Sequence, residues 1–233
     1  MWARTAGVAK SSKAREYLSE MPLQAGIVPV TPFEQNCTLI WDDATRLGAV
    51  VDPGGDLDRI EAAIAKVGLT VEKILLTHGH IDHAAGAAEL KEKLGGIPIE
   101  GPHEADRFLL DNLAVSGLAF GMLGARNVTP DRWLADGDIV TVAGATFSIL
   151  HCPGHSPGSV AYVNAAQKFA LVGDVLFRGS IGRTEGLPQT SHAALIQSIK
   201  TKLLPLGDDF AFICGHGSGS TIGQERLTNP FLA

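Results

Sequence analysis

Short bursts of apolar residues separated by turn signals run along most of this chain. Residues 26–30, 37–41 and 48–51 carry β-branched or aromatic side chains between such signals, so each predicts a strand. Asp52-Pro53-Gly54-Gly55 closes the third run as a turn. The period then changes. Over residues 57–67, Ile60, Ile64 and Val67 fall on one stripe, the spacing of a helix. Lys73-Ile74-Leu75-Leu76 predicts a buried strand, and the alanine-rich stretch 84–94 predicts a helix. Residues 102–124 contain HEADRFLLDNL, which reads as one helix, followed by a glycine-interrupted apolar stretch. Apolar helical spacing gives this section a packing role, with a lid over a site as the alternative. The second half repeats the strand rhythm at 139–142, 146–150, 160–163 and 169–172. A helix over 193–204 follows, capped by Ser191 or Thr190, and a last strand spans 210–214. No linker divides these two β-rich halves. The pattern predicts one α/β domain over residues 21–233, in which two sheets face each other with helices outside.

Composition narrows the function classes. The chain has 233 residues, 45% of them hydrophobic and 19% charged, enough for a sizeable core. A net charge of −6 and the lack of a basic cluster argue against a nucleic-acid partner. No apolar stretch is long enough for a membrane span. Cys37, Cys152 and Cys214, odd in number and far apart, argue for a reducing compartment, the cytoplasm. Residues 1–20 differ from the rest: Arg4, Lys10, Lys13 and Arg15 stand against Glu16 and Glu20, with no apolar run. They lack the centre of a secretory signal, and a poorly ordered extension is expected there.

The chemistry concentrates in Thr77-His78-Gly79-His80-Ile81-Asp82-His83, where three of the chain's eight histidines and an aspartate occupy six positions. A solvated histidine-rich loop is the plainer reading, but such tracts usually bind metal. The segment lies between a strand and a helix, where open α/β folds place their sites. In an extended backbone residues two apart point the same way, so His78 and His80 can hold one ion while Asp82 and His83 face a second position. Later β-runs also end on candidate ligands beside glycine: His155 in PGHSPG, Asp174 in GD and His216 in GHG. Glycine lets the backbone turn and approach closely at such points.

This succession, HxHxDH, PGHSPGS, GD followed by LF, and GHG, resembles the metallo-β-lactamase superfamily, and within it the single-domain glyoxalase II-like thioesterases. VDPGG at 51–55, LFRGSIGRTEG at 176–186 and IGQERLTNPF at 222–231 support the resemblance, which covers residue 25 to the C-terminus. It implies an αββα sandwich, two mixed sheets with helices on both outer faces, holding two divalent metal ions. Carried over by position, His78, His80 and His155 would hold the first ion, and Asp82, His83 and His216 the second. Asp174 would bridge them, with Asp82 and Asp174 the catalytic carboxylates. Imidazole and carboxylate suit zinc first, and also iron or manganese.

Two such ions lower the pKa of a shared water and give hydroxide at neutral pH, and one of them stabilises the oxyanion formed by its attack. A thiolate, whose conjugate acid has a pKa of about 8.5, leaves without a dedicated general acid. The expected activity is therefore hydrolysis of S-lactoylglutathione or a related acyl thioester. The partner is a small molecule, glutathione-linked or similar, on a monomer or homodimer. Asp174 stands where true β-lactamases of the superfamily carry Cys or Ser, which argues against antibiotic hydrolysis. Arg183 takes the place of a family lysine and is the candidate contact for a substrate carboxylate; a plain surface charge is the alternative. Two family tyrosines are missing, at Glu185 and at Gly217-Ser218.

Two other readings remain at this level. An iron-dependent persulfide dioxygenase of the same superfamily would use only His78, His155 and Asp174, a two-histidine, one-carboxylate set. Residues 216–221 after a strand faintly suggest a phosphate loop, but they lack the Gly-Lys-Ser/Thr ending, and no following helix is expected. His103, His151 and His192 fall outside the ligand pattern, and Cys152 reads as a buried thiol.

Overall fold

The computed structural model describes residues 23–232; the extension expected over 1–20 lies outside the described residues. The first sheet contains β1 (Leu23–Val30), β2 (Gln35–Asp42), β3 (Leu47–Val51), β4 (Thr70–Leu75) and β5 (Ile99–Glu100), side by side in that order. Strands β1 to β3 run antiparallel through short turns, whereas β3, β4 and β5 are parallel. A parallel step needs a crossover. Between β3 and β4 it is α1 (Leu57–Val67), which buries Ile60 and Ile64. Gly68, with φ of 66°, ends that helix and returns its N–H to Ala65 and Ile64 carbonyls.

The second sheet contains β6 (Ile139–Val142), β7 (Ala145–His151), β8 (Val160–Asn164), β9 (Phe169–Gly173), β12 (Ala211–Cys214) and β13 (Ser220–Thr221). Their spatial order is β13-β12-β9-β8-β7-β6, with β9 and β12 parallel and the other neighbours antiparallel. Strands β10 (Leu176–Phe177) and β11 (Ser180–Ile181) form a separate hairpin.

Three apolar layers hold the sandwich together. Ile40, Ala49, Val51 and Leu75 of the first sheet meet Phe147, Ile149, Tyr162 and Leu171 of the second. The other face of the first sheet, with Leu39, Val50 and Ile74, packs on Ile60 and Ile64 of α1 and on Ala87 and Leu90. The other face of the second sheet packs on Leu195, Ile199 and Ile222. Burial on both faces explains why β8 reads as a nearly continuous apolar run.

Four elements depart from the sequence expectation. The helix expected over 84–94 begins earlier and is broken into α2 (Ile81–Ala84) and α3 (Ala87–Lys93). At the break Gly86 donates to the Pro53 carbonyl at 3.0 Å, and a Cβ there would lie 2.5 Å from that oxygen. HEADRFLLDNL forms a 3-10 turn at Glu104–Asp106, then α4 (Arg107–Leu110) and α5 (Leu113–Phe120), rather than one helix. The Asp106 side chain turns inward there to backbone N–H groups of other loops. The helix expected over 193–204 is α6 (His192–Ser198), which widens into a π turn at Ile199–Leu203 and then tightens at Leu204–Leu206. Pro205 has no N–H to continue it. Ser191, not Thr190, caps α6, accepting from the Ala194 N–H at 3.3 Å. Finally, a helix does follow residues 216–221: α7 (Ile222–Thr228), capped by Thr221.

Candidate metal centre

The loops leaving the C-terminal ends of β3, β4, β7, β9 and β12 converge at one edge of the sandwich. They bring together seven of the eight side chains singled out in the sequence. His78, His80 and His155 present ring nitrogens to one another, as do the ligand-type atoms of Asp82, His83 and His216, each set lying within 4.8 Å. Asp174 stands between the sets. Its Oδ1 lies 3.4 Å from His83 Nε2, and its Oδ2 lies 3.5 Å from both His155 Nε2 and His216 Nε2. Gly215 makes this approach possible, since a Cβ there would sit 2.0 Å from Asp174 Oδ1. Arg183, the eighth, reaches the rim by its backbone: His155 Nδ1 donates to its carbonyl at 2.9 Å. Its exposed guanidinium makes no ion pair or hydrogen bond among the described residues.

The outward ring nitrogens fix which lone pairs point inward. Thr77 Oγ1 donates to Asp52 Oδ2 at 2.6 Å and so accepts from His78 Nδ1 at 3.1 Å. His83 Nδ1 donates to Asp52 Oδ2 at 2.9 Å, and His216 Nδ1 to the Phe33 carbonyl at 3.1 Å. Together with the His155 bond, this aims four Nε2 atoms at the centre, each with a free lone pair when its ring is neutral. His80 differs in facing the cluster with Nδ1, 3.1 Å from His78 Nε2 and 2.9 Å from His155 Nε2. Three ring nitrogens so close share at most one proton. His80 Nε2, His83 Nε2 and Asp174 Oδ1 are buried without a hydrogen-bond partner among the described residues. A donor set of lone pairs crowded in this way suits cations, and partners on the far ring nitrogens are the usual support of metal-binding imidazoles.

Electrostatics point the same way. Burial, then the neighbouring imidazoles, hold His78 well below the ordinary imidazole range, and His80 is lowered to about 3, chiefly by burial. Burial opposes charge on His83 as well, but Asp174 and Asp82 outweigh it and raise its affinity for a proton. Burial likewise opposes charge on Asp174, and the surrounding histidines, His83 first, hold it ionised. The first cluster is therefore uncharged, whereas the carboxylates at the second draw positive charge to it, as a proton or as a metal ion.

Asp52 was not among the site residues read from the sequence, yet it accepts from Thr77 N–H, Thr77 Oγ1 and His83 Nδ1. With three donors already on it, Asp52 supports two histidines rather than competing for an ion. An acid directly after a strand and before Pro-Gly-Gly was the signal available. Asn36 ties the β1–β2 turn to the His216 loop, donating to Cys214 and Gly217 carbonyls. The three remaining histidines lie elsewhere: His103 stacks on His151 with centroids 4.0 Å apart, and His192 begins α6. Cys152 is fully buried, and burial pushes its thiol up to about 12.

Residues 30–216 match the family model of the metallo-β-lactamase superfamily. The chain belongs to that superfamily. Within it, the chain is 47% identical over 207 residues to the hydroxyacylglutathione hydrolase GloC of Haemophilus influenzae, covering 88% of this chain and 96% of that protein. It is 36% identical to the probable metallo-hydrolase YqgX of Bacillus subtilis, over 88% of this chain and 95% of that one. Among solved structures, the B3 metallo-β-lactamase BLEG-1 superposes with a TM-score of 0.82 at 34% identity, over 90% of this chain and 99% of that one. The di-iron-bound form of TTHA1623 superposes at 0.77 with 36% identity, over 89% of this chain and all of that one. The metallo-β-lactamase fold, two mixed sheets between helices, is thus the fold of this chain.

Proposed function

We propose that this metallo-β-lactamase superfamily member hydrolyses acyl thioesters of glutathione, as the name of its Haemophilus influenzae relative says of that protein. The observation that carries the reading is Asp174, whose Oδ2 lies 3.5 Å from both His155 Nε2 of one cluster and His216 Nε2 of the other, while its Oδ1 faces His83. His78, His80 and His155 would hold one divalent ion, Asp82, His83 and His216 a second, and Asp174 both. Zinc is the first expectation, and the di-iron-bound TTHA1623 gives iron weight as well. Bound there, two ions would activate a water and polarise the scissile carbonyl.

The chain's own side chains do the rest. His216 and Asp82, with side chains 30% and 15% exposed, mark the open edge through which a substrate enters. Asp82 lies 3.2 Å from His216 Nε2 at that edge and is placed to hold the proton lost by the attacking water. His78, His83 and His155 close the inner wall against solvent. The leaving thiolate, with a conjugate acid of pKa about 8.5, departs unassisted. Arg183 stands exposed at the rim for a substrate carboxylate. The three buried, unpaired cysteines support a reducing cytoplasm, and no helix among the described residues is long and apolar enough to cross a membrane.

The test is S-D-lactoylglutathione hydrolysis by purified protein, normalised to metal measured in the same sample. Turnover that scales with two ions per chain is expected. Because BLEG-1 is a β-lactamase at 34% identity, a chromogenic cephalosporin belongs in the same assay. Lactam turnover without thioester turnover would overturn the proposal. Oxygen uptake with a persulfide on one iron per chain would replace it with the dioxygenase reading.

A further inference from the structure

We infer that Asp106 is a positioning residue for the first ion, tying together the two loops that carry its three histidines. Asp106 is fully buried, and among the described residues no lysine or arginine pairs with it. Its Oδ2 accepts from the Gly79 N–H at 2.8 Å and from Ser156 Oγ at 2.7 Å, and its Oδ1 accepts from the Gly158 N–H at 2.5 Å. Gly79 lies between His78 and His80, and Ser156 directly follows His155. One carboxylate thus holds both sides of the cluster from behind. The two loops are shaped to receive it: a Cβ on Gly158 would lie 2.5 Å from Asp106 Cγ, and one on Gly79 would lie 3.2 Å from Asp106 Cβ.

The chemistry of the three donors explains why the residue is an acid. A carboxylate accepts on both oxygens, whereas an asparagine would turn its NH₂ against at least one N–H or O–H donor. Burying a carboxylate without a cationic neighbour is unfavourable unless its lone pairs are satisfied. An apolar side chain in its place would leave the Gly79 and Gly158 N–H groups and the Ser156 hydroxyl without this acceptor. The placement has a use if the exact spacing of His78, His80 and His155 matters, as it does for ligands of an ion.

The inference rests on the ligand reading above, and the test separates the two. Asp106→Asn and Ser156→Ala are compared with the unaltered protein in zinc competition against a chelating indicator. Thermal unfolding is followed with and without zinc. The unaltered chain should take two zinc ions. In Asp106→Asn one of them should bind about 10- to 100-fold more weakly, the range for residues that support metal ligands. The gap between metal-loaded and metal-free Tm should shrink. Ser156→Ala, which removes one of the three donors without stranding the carboxylate, should show a smaller loss in the same direction. Equal falls in loaded and metal-free Tm, with zinc affinity unchanged, would overturn the inference and leave Asp106 a structural residue. Should Asp106→Asn not fold, Ser156→Ala decides: weaker zinc at an unchanged metal-free Tm supports the inference, and full affinity overturns it. If the unaltered protein binds neither zinc nor iron(II), the ligand reading itself fails.

Discussion

The two histidine clusters share their chemistry but differ in depth. His78 and His155 are nearly inaccessible, and the first cluster is supported from behind by Thr77, the Arg183 carbonyl and Asp106. The second cluster is deep only at His83. His216 is part-exposed and is held by the carbonyl of Phe33, itself on an exposed turn. The first cluster also carries no carboxylate of its own, whereas the second includes Asp82. Burial lowers proton affinity in the first, and carboxylates raise it at His83 in the second. The contrast suggests a division of labour: the buried cluster would retain its ion, and the open one, which includes Asp82, would meet water and substrate.

Substitution at the point shared by both clusters should have the largest effect. Asp174→Asn is expected to lower metal content and to cut kcat/KM by roughly 100-fold or more, beyond the about 10- to 100-fold seen for supporting residues. Elemental analysis beside the thioesterase assay checks this, and normal metal with a normal rate would remove Asp174 from the ligand set. Next comes the contrast itself. His155→Ala should lose an ion and most of the Tm gain on metal loading. His216→Ala should keep one ion and most of that gain while turnover falls. Identical metal content and Tm in the two variants would erase the proposed division. A smaller change is expected for Asp52→Asn, which leaves every ligand in place but weakens the hold on His83. Its metal affinity should drop about 10-fold, read by chelator competition. Arg183→Ala should raise KM for a glutathione thioester a few-fold with kcat unchanged, because its backbone contact to His155 survives. His103→Ala should be the mildest, with activity close to wild type in the same assay.

Several parts of this picture were legible along the chain because they depend on near neighbours. The α1 stripe of Ile60, Ile64 and Val67 is local, and the predicted bounds 57–67 match the helix. Breaks set by distant partners were not legible. Gly86 interrupts the alanine-rich helix because the Pro53 carbonyl, far back in sequence, approaches it. HEADRFLLDNL lost its expected regularity when Asp106 turned toward Gly79 and Gly158. Sequence alone showed an acid among charged neighbours, Glu104 and Arg107, with no sign of the donors awaiting it.

The sequence by itself determined the inventory: strands and helices set by local periodicity, and a set of histidines and aspartates placed at strand ends beside glycine. Motif resemblance then tied that inventory to a superfamily. Only the tertiary structure decided which nitrogens face inward, how deep each cluster lies, and that Asp52 and Asp106 stand behind the histidines. Those properties arise from hydrogen bonds between loops as far as 183 residues apart. Such bonds have no local signature, because a backbone N–H acquires its acceptor only when the sheets close on each other.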